Sequence, residues 1–506
     1  VTRSISEGRA EPGAPANAHG RWTALVAGLV FVLGAFALYH LSNPERLNLY
    51  NHFVWQADAF LAGRVWIPFP VEASASLPGN AYFNDVYPLL DESGSPTGRV
   101  LIPFPPLPAL VLLPFVAFAG LAADQELVAI VLAAIGVGLA WWVLGRIPVS
   151  RGVRALVTVF FATGTVWWWT AAVGSTWYLA HLIAANLTFL AVGVALSRDP
   201  GASDVDDLDA DPRDADPGEQ PAGIRPGAQY GSGLTGRVRA LIADTLPLDR
   251  SQVLVGLLLG LAATARLPLV FAAPFFMLVG SGGTWQRRTV SAGVGGFVPV
   301  AMLLLYTYLT TGAFLHPGYE YQYQLEAIGY PTLGYNPEWS VEDLRYIPQN
   351  IVIMFGTLPA ILPNTLQYSA DVPVCVDPDA VRGLFDLSCP IAVPRDIGTS
   401  ILLTSPAFLL VAVPLLRGRW SRLVLGSVLA TVALAVFNLA HFSQGWVQWG
   451  YRFSNDFIPF LLPLVALGAG VGARAGGPPR VIAVVLVAIS AVVNLWGIVW
   501  GGILGW

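Results

Sequence analysis

The chain has 506 residues, 55% hydrophobic and only 12% charged, too little charge to cover the surface of a water-soluble protein of this size. The formal net charge is −5 and every basic side chain other than His is an Arg; no basic stripe of the kind that binds nucleic acid is present. The apolar residues recur in blocks of roughly 18–22, each long enough to cross a hydrocarbon core as a helix, so the expected fold is an all-α polytopic membrane protein.

Residues 1–21 are polar and Arg-bearing, too long and too polar for a signal n-region, so the first span at 22–41 is expected to remain as an anchor. Arg3, Arg9 and Arg21 place this tail in the cytoplasm by the positive-inside rule. The loop that follows, 43–126, is then extracytoplasmic. It mixes the carboxylates Asp58, Asp85, Asp91 and Glu92 with aromatics and proline-rich apolar runs. The apolar stretch at 103–120 opens with IPFPPLP. Read as an interfacial or re-entrant helix, it keeps the next basic loop (Arg146, Arg151, Arg154) inside.

Further spans are expected at 127–144, 155–171 and 181–196, which complete an N-terminal membrane module at 22–197. Residues 198–250 are acidic and rich in Pro and Gly, with too little apolar surface to fold. They are expected to be a cytoplasmic, largely disordered insertion. The C-terminal module, 251–506, begins with two short spans at 252–279, broken at Arg266-Leu267-Pro268, and continues with a span at 289–310. A second large outer loop, 311–397, contains the two cysteines, Cys375 and Cys389. In an oxidising compartment they would form a disulfide; the alternative is two free thiols. Spans at 398–416, 423–440, 457–471 and 481–500 bring the count to about eleven, with both outer loops carrying interfacial helices, and leave every short-loop Arg cluster inside.

The outer face therefore holds most of the acidic residues expected to be folded, and a dense set of Trp and Tyr. An enzyme working there cannot rely on nucleotide-activated substrates and would draw its activated group from a lipid carrier. The layout resembles the GT-C superfamily of polyprenyl-phosphate-sugar glycosyltransferases, such as protein O-mannosyltransferases, aminoarabinose transferases and actinobacterial arabinosyl- and mannosyltransferases. The resemblance covers most of the chain. It rests on YNHFVWQADAFLAGR, FNDVY and PFPPLPALVLLP in the first loop, GSTWYLAH, GLLLGLAATARLPLVFAAPFF, and GYRFSNDFIPFLLPL near the end.

The resemblance implies a polyprenyl-phosphate sugar as donor, a glycan, lipid or protein hydroxyl as acceptor, and no cofactor. It also implies an acidic general base in the first outer loop, with a cation for the departing phosphate. Asn51-His52 stand where the family's acidic pair is expected, so the base is assigned to Asp85, with Asp58 as second candidate. Asp58 falls in a stretch of helical apolar spacing (Phe53, Val54, Ala57, Phe60, Leu61), on its wet side or paired with Arg64. Asp85 could instead be a turn-forming residue.

The phosphate candidates are Arg266, expensive in an apolar hairpin unless it meets an anion, and Arg452, which alternatively pairs with Asp456 four residues on. Arg345 is a more distant candidate. His181 would position donor or acceptor, or cap a helix. His52 joins the substrate-binding candidates. Trp177, Tyr178, Trp446 and Trp449 would stack on sugar rings, or serve as interface anchors. No metal is expected, because the region that carries acidic metal ligands in the oligosaccharyltransferase branch has none, and the His and Asp spacing has no ligand signature. Rival readings are a lipid-linked glycan flippase or transporter, although no internal repeat is found, and a glycan polymerase or ligase using diphosphate-linked donors.

Overall fold

The computed structural model describes residues 18–199, 201, 246–329, 336, 338–368, 370–375, 377, 379–418, 420–445, 447–470 and 480–506. The chain is mostly helical. The N-terminal tail, most of the acidic insertion and Trp446 lie outside the described residues.

Helix α1 (Ala18–Ser42) is the first span. Its apolar side chains (Leu25, Val26, Leu29, Val30, Leu33) stay exposed to the surroundings, as expected where the neighbour is lipid. The first loop then folds as a small unit. Helix α2 (His52–Leu61) buries His52, Phe53, Val54, Trp55, Gln56, Ala57 and Ala59. Beside it lie strands β1 (Ile67–Pro68), β2 (Tyr87–Leu90) and β3 (Pro96–Leu101), in the order β1-β3-β2 and antiparallel throughout, with Ile67 opposite Val100 and Tyr87 opposite Leu101. These strands are absent from the all-helical expectation. The β2–β3 turn is closed by Asp91, whose Oδ1 accepts from the Ser93 and Ser95 amides, a side-chain-built turn that favours a hairpin. Trp55, Ala59, Ile67, Phe83, Val86, Val100 and Ile102 form its core.

Helix α3 (Leu107–Ala119) follows the prolines. Its 13 residues span about 20 Å, short of a hydrocarbon core of about 30 Å. This agrees with an interfacial or re-entrant segment. Helix α4 (Gln125–Leu144) is capped by Asp124, which accepts from the Leu127 amide. The expected span at 155–171 is two helices, α5 (Arg151–Thr163) and α6 (Trp167–Val173), bent by 44°. Gly164 stands at the break, where an added Cβ would meet Phe160 and Ser490 at 2.8 Å. Helix α7 (Thr176–Arg198) runs through the core of the bundle.

In the C-terminal module, α8 (Arg250–Ala263) ends before Arg266, a 3-10 turn (Leu267–Ala272) carries Pro268, and α9 (Ala273–Leu278) completes the broken hairpin. Helix α10 (Trp285–Thr311) packs on α8 through glycines. A Cβ at Gly256 or Gly295 would come within 1.9 Å of a backbone oxygen on the facing helix, so neither position has room for a side chain. The second outer region holds α11 (Gly318–Gly329), α12 (Ile347–Gly356) and the short strand pairs β4 (Ala360–Ile361) with β7 (Ala392–Val393) and β5 (Thr365–Tyr368) with β6 (Ala370–Pro373). Cys375 and Cys389 are joined as a disulfide.

The expected span at 398–416 is a string of short pieces, α13 (Ile401–Thr404), a 3-10 segment (Pro406–Val411) and α14 (Ala412–Leu416). Helices α15 (Arg422–Ala440), α16 (Ser454–Gly470) and α17 (Val481–Leu504) complete the bundle. Among the described residues six helices are long and apolar enough to cross a membrane, seven with the bent α5–α6 pair; Arg250–Ala263, Leu267–Leu278, Pro406–Leu416 and Ser454–Gly470 are shorter. The expectation of eleven is reached only when these short helices count as spans.

Candidate active site

Four distant segments meet at one end of the bundle: the first loop, the start of α7, the Arg266 break and the stretch leading into α16. Asp85 sits just before β2, held in a turn where the Val86 amide donates to the Asn84 carbonyl at 3.1 Å. Trp177, in the first turn of α7, donates its Nε1–H to Asp85 Oδ2 at 2.6 Å. Burial raises the Asp85 pKa above its usual range; the Trp177 bond and the positive charge of Arg452 oppose the rise. The carboxylate is thus oriented by one donor and partly withdrawn from water; the withdrawal strengthens it as a base, while the donor and the Arg452 charge weaken it.

His52 lies behind Asp85, stacked on Phe83 at 3.9 Å. The Thr176 hydroxyl donates to the Tyr50 carbonyl at 2.6 Å. It therefore has no proton left for His52, whose Nδ1 stands 3.0 Å away and must be the donor. Nε2 is left as a bare acceptor, buried and without a hydrogen-bond partner among the described residues. Burial pushes the His52 pKa down to about 3, so the ring is neutral. Tyr319 of α11 joins the wall against Phe104. Its phenol is pushed up to about 12 by burial and feels the charges of Arg266, Glu342 and Asp85.

The second half of the site is an ion network. Asp456, in the first turn of α16, accepts from Arg266 Nε at 3.0 Å and Nη2 at 2.9 Å, from Asn438 Nδ2 at 3.1 Å and from His181 Nδ1 at 3.0 Å. Its side chain is 1% exposed and that of Arg266 17%. The alternative in which Arg452 pairs with Asp456 is corrected by this geometry: Asp456 is taken by Arg266, His181 and Asn438. Arg266 is thus paired with a buried carboxylate. His181 Nε2 is buried with no hydrogen-bond partner among the described residues.

Arg452 is placed differently. Its guanidinium lies 5.3 Å from the Phe453 ring centre and 5.8 Å from that of Tyr178, and its Nε is buried with no hydrogen-bond partner among the described residues. A Cβ at Gly445, which has φ +95°, would stand 2.8 Å from the Arg452 guanidinium carbon; a side chain there would strain the backbone and push the guanidinium aside. A cation held by ring faces, with a donor unspent, is suited to an anionic group.

Of the residues singled out in the sequence, Asp85, Trp177, Tyr178, His52, His181, Arg266 and Arg452 come together. Asp58 stays on the outer side of α2, 3.7 Å from Arg64. Arg345 is exposed and bound to Asp343. Trp449 is fully buried, donating to Asn494 at 3.0 Å, and is therefore a core residue unavailable for stacking on a sugar. Asp456, Asn438, Thr176 and Tyr319 belong to the site without having been selected. Asp456 was visible in YRFSND, but only as a neighbour for Arg452. Among the described residues no group of three or more His, Cys, Asp or Glu is placed to hold a metal ion.

No protein-family model matches the chain, and no curated protein matches it. Solved structures similar to it include the oligosaccharyltransferase of Archaeoglobus fulgidus tethered to an acceptor peptide with an NVT sequon, at 11% identity and a TM-score of 0.39, covering 95% of this chain and 55% of that one. The archaeal oligosaccharyltransferase AglB of the same organism, in complex with an inhibitory peptide and a dolichol-phosphate, is similar at 10% identity and a TM-score of 0.41, covering 95% and 56%. The apo form gives 10% and 0.40. The chain spans little more than half the length of these structures.

Proposed function

We propose that the chain is an integral-membrane glycosyltransferase of the GT-C type, moving a hexosyl or pentosyl group from a polyprenyl-phosphate donor to an acceptor hydroxyl on the extracytoplasmic side. The carrying observation is that adjacent residues at the head of α7 hold both groups: Trp177 donates to Asp85, from the first loop, and the guanidinium of Arg452, before α16, lies 5.8 Å from the Tyr178 ring centre. In the proposed reaction the Asp85 carboxylate takes the acceptor proton as the acceptor oxygen forms its bond to the sugar C1. The C1–O bond to the carrier breaks with its electron pair leaving on the phosphate, so C1 is inverted. Arg452 meets the growing negative charge on that phosphate. Arg266 and His181 act indirectly, by fixing Asp456 and with it the start of α16 beside Arg452.

A flippase, or a ligase using diphosphate-linked donors, would also want the cation. A flippase breaks no bond at the sugar C1, so its reaction calls for no general base beside that cation. Reconstituted protein supplied with labelled polyprenyl-phosphate sugars separates the classes: label moved to an acceptor supports the transferase, and label moved only between leaflets refutes it.

A further inference from the structure

We propose that the cleft beside Asp85 is the acceptor subsite and that it takes an uncharged carbohydrate; this rests on the transferase reading above. The cleft has a volume of about 510 Å³ and opens between the first-loop sheet and α11, within the size range of small-molecule sites. Gln322 of α11 lines it. That side chain is only 7% exposed, and its Nε2 donors have no hydrogen-bond partner among the described residues. A buried amide is costly to leave unpaired, so a ligand oxygen is the natural partner. Asn84, in the turn beside Asp85, adds an exposed amide at the same wall.

The remaining lining decides the ligand's chemistry. Arg99 is the one cation among the lining residues, and it is stacked over Trp66 at 4.2 Å. With Arg452 taken by the donor phosphate in the reading above, an acidic acceptor would have Arg99 alone to offset the charge of Asp85. The partly exposed rings of Phe69 and Tyr321 line it too, apolar surface suited to the CH faces of a sugar whose hydroxyls reach the amides. A peptide strand is poorly served. Pro88 on β2 and Pro96 on β3, with Pro70 opposite, line the walls, and proline offers no N–H for strand addition.

The test uses the full chain in nanodiscs and ligand-observed saturation-transfer NMR. The probes are methyl glucoside, galactoside and mannoside, methyl glucuronoside, and an acetylated Ser-Gly amide. At least one neutral hexoside should bind saturably, the glucuronoside more weakly than the glucoside, and the peptide not measurably. Gln322→Leu should weaken hexoside binding by about tenfold, the worth of one buried hydrogen bond. Glu92→Gln, in the exposed β2–β3 turn, should leave it unchanged. Asn84→Leu, at an exposed position, probes the same wall if Gln322→Leu fails to fold, and should also weaken binding.

The proposal is overturned if no hexoside binds, if the peptide or the glucuronoside binds best, or if hexoside binding survives both substitutions. Turnover of labelled polyprenyl-phosphate sugar is measured on the same samples. Hexoside binding that depends on Gln322 without any turnover upholds the carbohydrate subsite and overturns its role in transfer.

Discussion

Asp85→Asn is the substitution that bears most directly on the chemistry. Asparagine keeps the shape and an oxygen that can accept the Trp177 Nε1–H, now 2.6 Å from the carboxylate, but it cannot take a proton. Loss of a positioned general base costs about 10²–10⁴ in rate, so transfer should fall at least about a hundredfold, or about 2.7 kcal/mol in the barrier. The fold should not suffer. Burial raises the Asp85 pKa above its usual 3.8. Between 3.8 and the higher folded value the folded chain holds a proton that the unfolded chain has released, so stability falls as pH rises through that window. Above it the ionised carboxylate is a net cost to the folded state, and removing the charge relieves it. At pH 7 the variant should therefore unfold at the parent's temperature or slightly higher. The parent's transfer rate should decline as pH falls through the same window, because the base becomes protonated. Label transfer from polyprenyl-phosphate sugar in proteoliposomes, with a thermal midpoint for each sample, checks all three expectations. A folded Asp85→Asn protein with near-parental turnover refutes the assignment, and an inactive, folded Asp58→Asn protein beside it would move the base to α2.

Arg452→Gln should raise the donor KM and lower kcat together, since the phosphate loses its counter-charge in both ground and transition states; a change in acceptor KM alone would argue against it. Arg266→Ala should lower the thermal midpoint sharply, because it leaves the Asp456 carboxylate buried and only partly compensated, a loss of about 3–5 kcal/mol for such a pair. Arg266→Met combined with Asp456→Leu should recover much of that, as read from the midpoints of the single and double variants. Cys375 and Cys389, fourteen residues apart, should resist alkylation in membrane-derived protein until reductant is added. Replacing both should cost about 3 kcal/mol of loop-closure entropy, read as earlier proteolysis of the second outer region with the helices intact.

The membrane helices were legible because their signal is additive: a run of apolar residues needs no partner to be recognised. Their lengths were less so. The break between α5 and α6 falls at Gly164, where a close approach to Ser490, far away in the chain, decides the local structure. The string of short helices over 401–416 turns on Ser405-Pro406 and Pro414, in a stretch whose run of Leu, Val and Ala still reads as one span. The sheet of the first loop was hidden for a different reason. Its strands are two to six residues long and contain Pro68, Pro88 and Pro96, residues that ordinarily argue against strands, and they are held together by packing against α2 through Trp55 and Phe83.

The same distinction governs the site. Asp85 could be chosen from sequence because the resemblance calls for an acidic base in the first outer loop and Asn51-His52 stand where its usual pair is expected. Arg266 could be chosen because a lone Arg in an apolar hairpin is expensive, and Arg452 as a cation in WGYRFSND, but sequence gives no means of dividing their roles, since each could meet an anion supplied by the chain or by a ligand. The Asp456 carboxylate pairs with one of them. It lies 190 residues from Arg266 and four from Arg452, and local spacing favours the near partner; the fold brings the far one, which reaches it with two nitrogens. Two-point guanidinium–carboxylate contact is stronger and more directional than a single bond, and His181 and Asn438 occupy the remaining lone pairs. Once Asp456 is satisfied in this way, Arg452 has no carboxylate of its own among the described residues, is held against Tyr178 and Phe453, and keeps an unpaired Nε. On the transferase reading proposed above, Arg452, beside Asp85, is then the cation that the departing phosphate would meet.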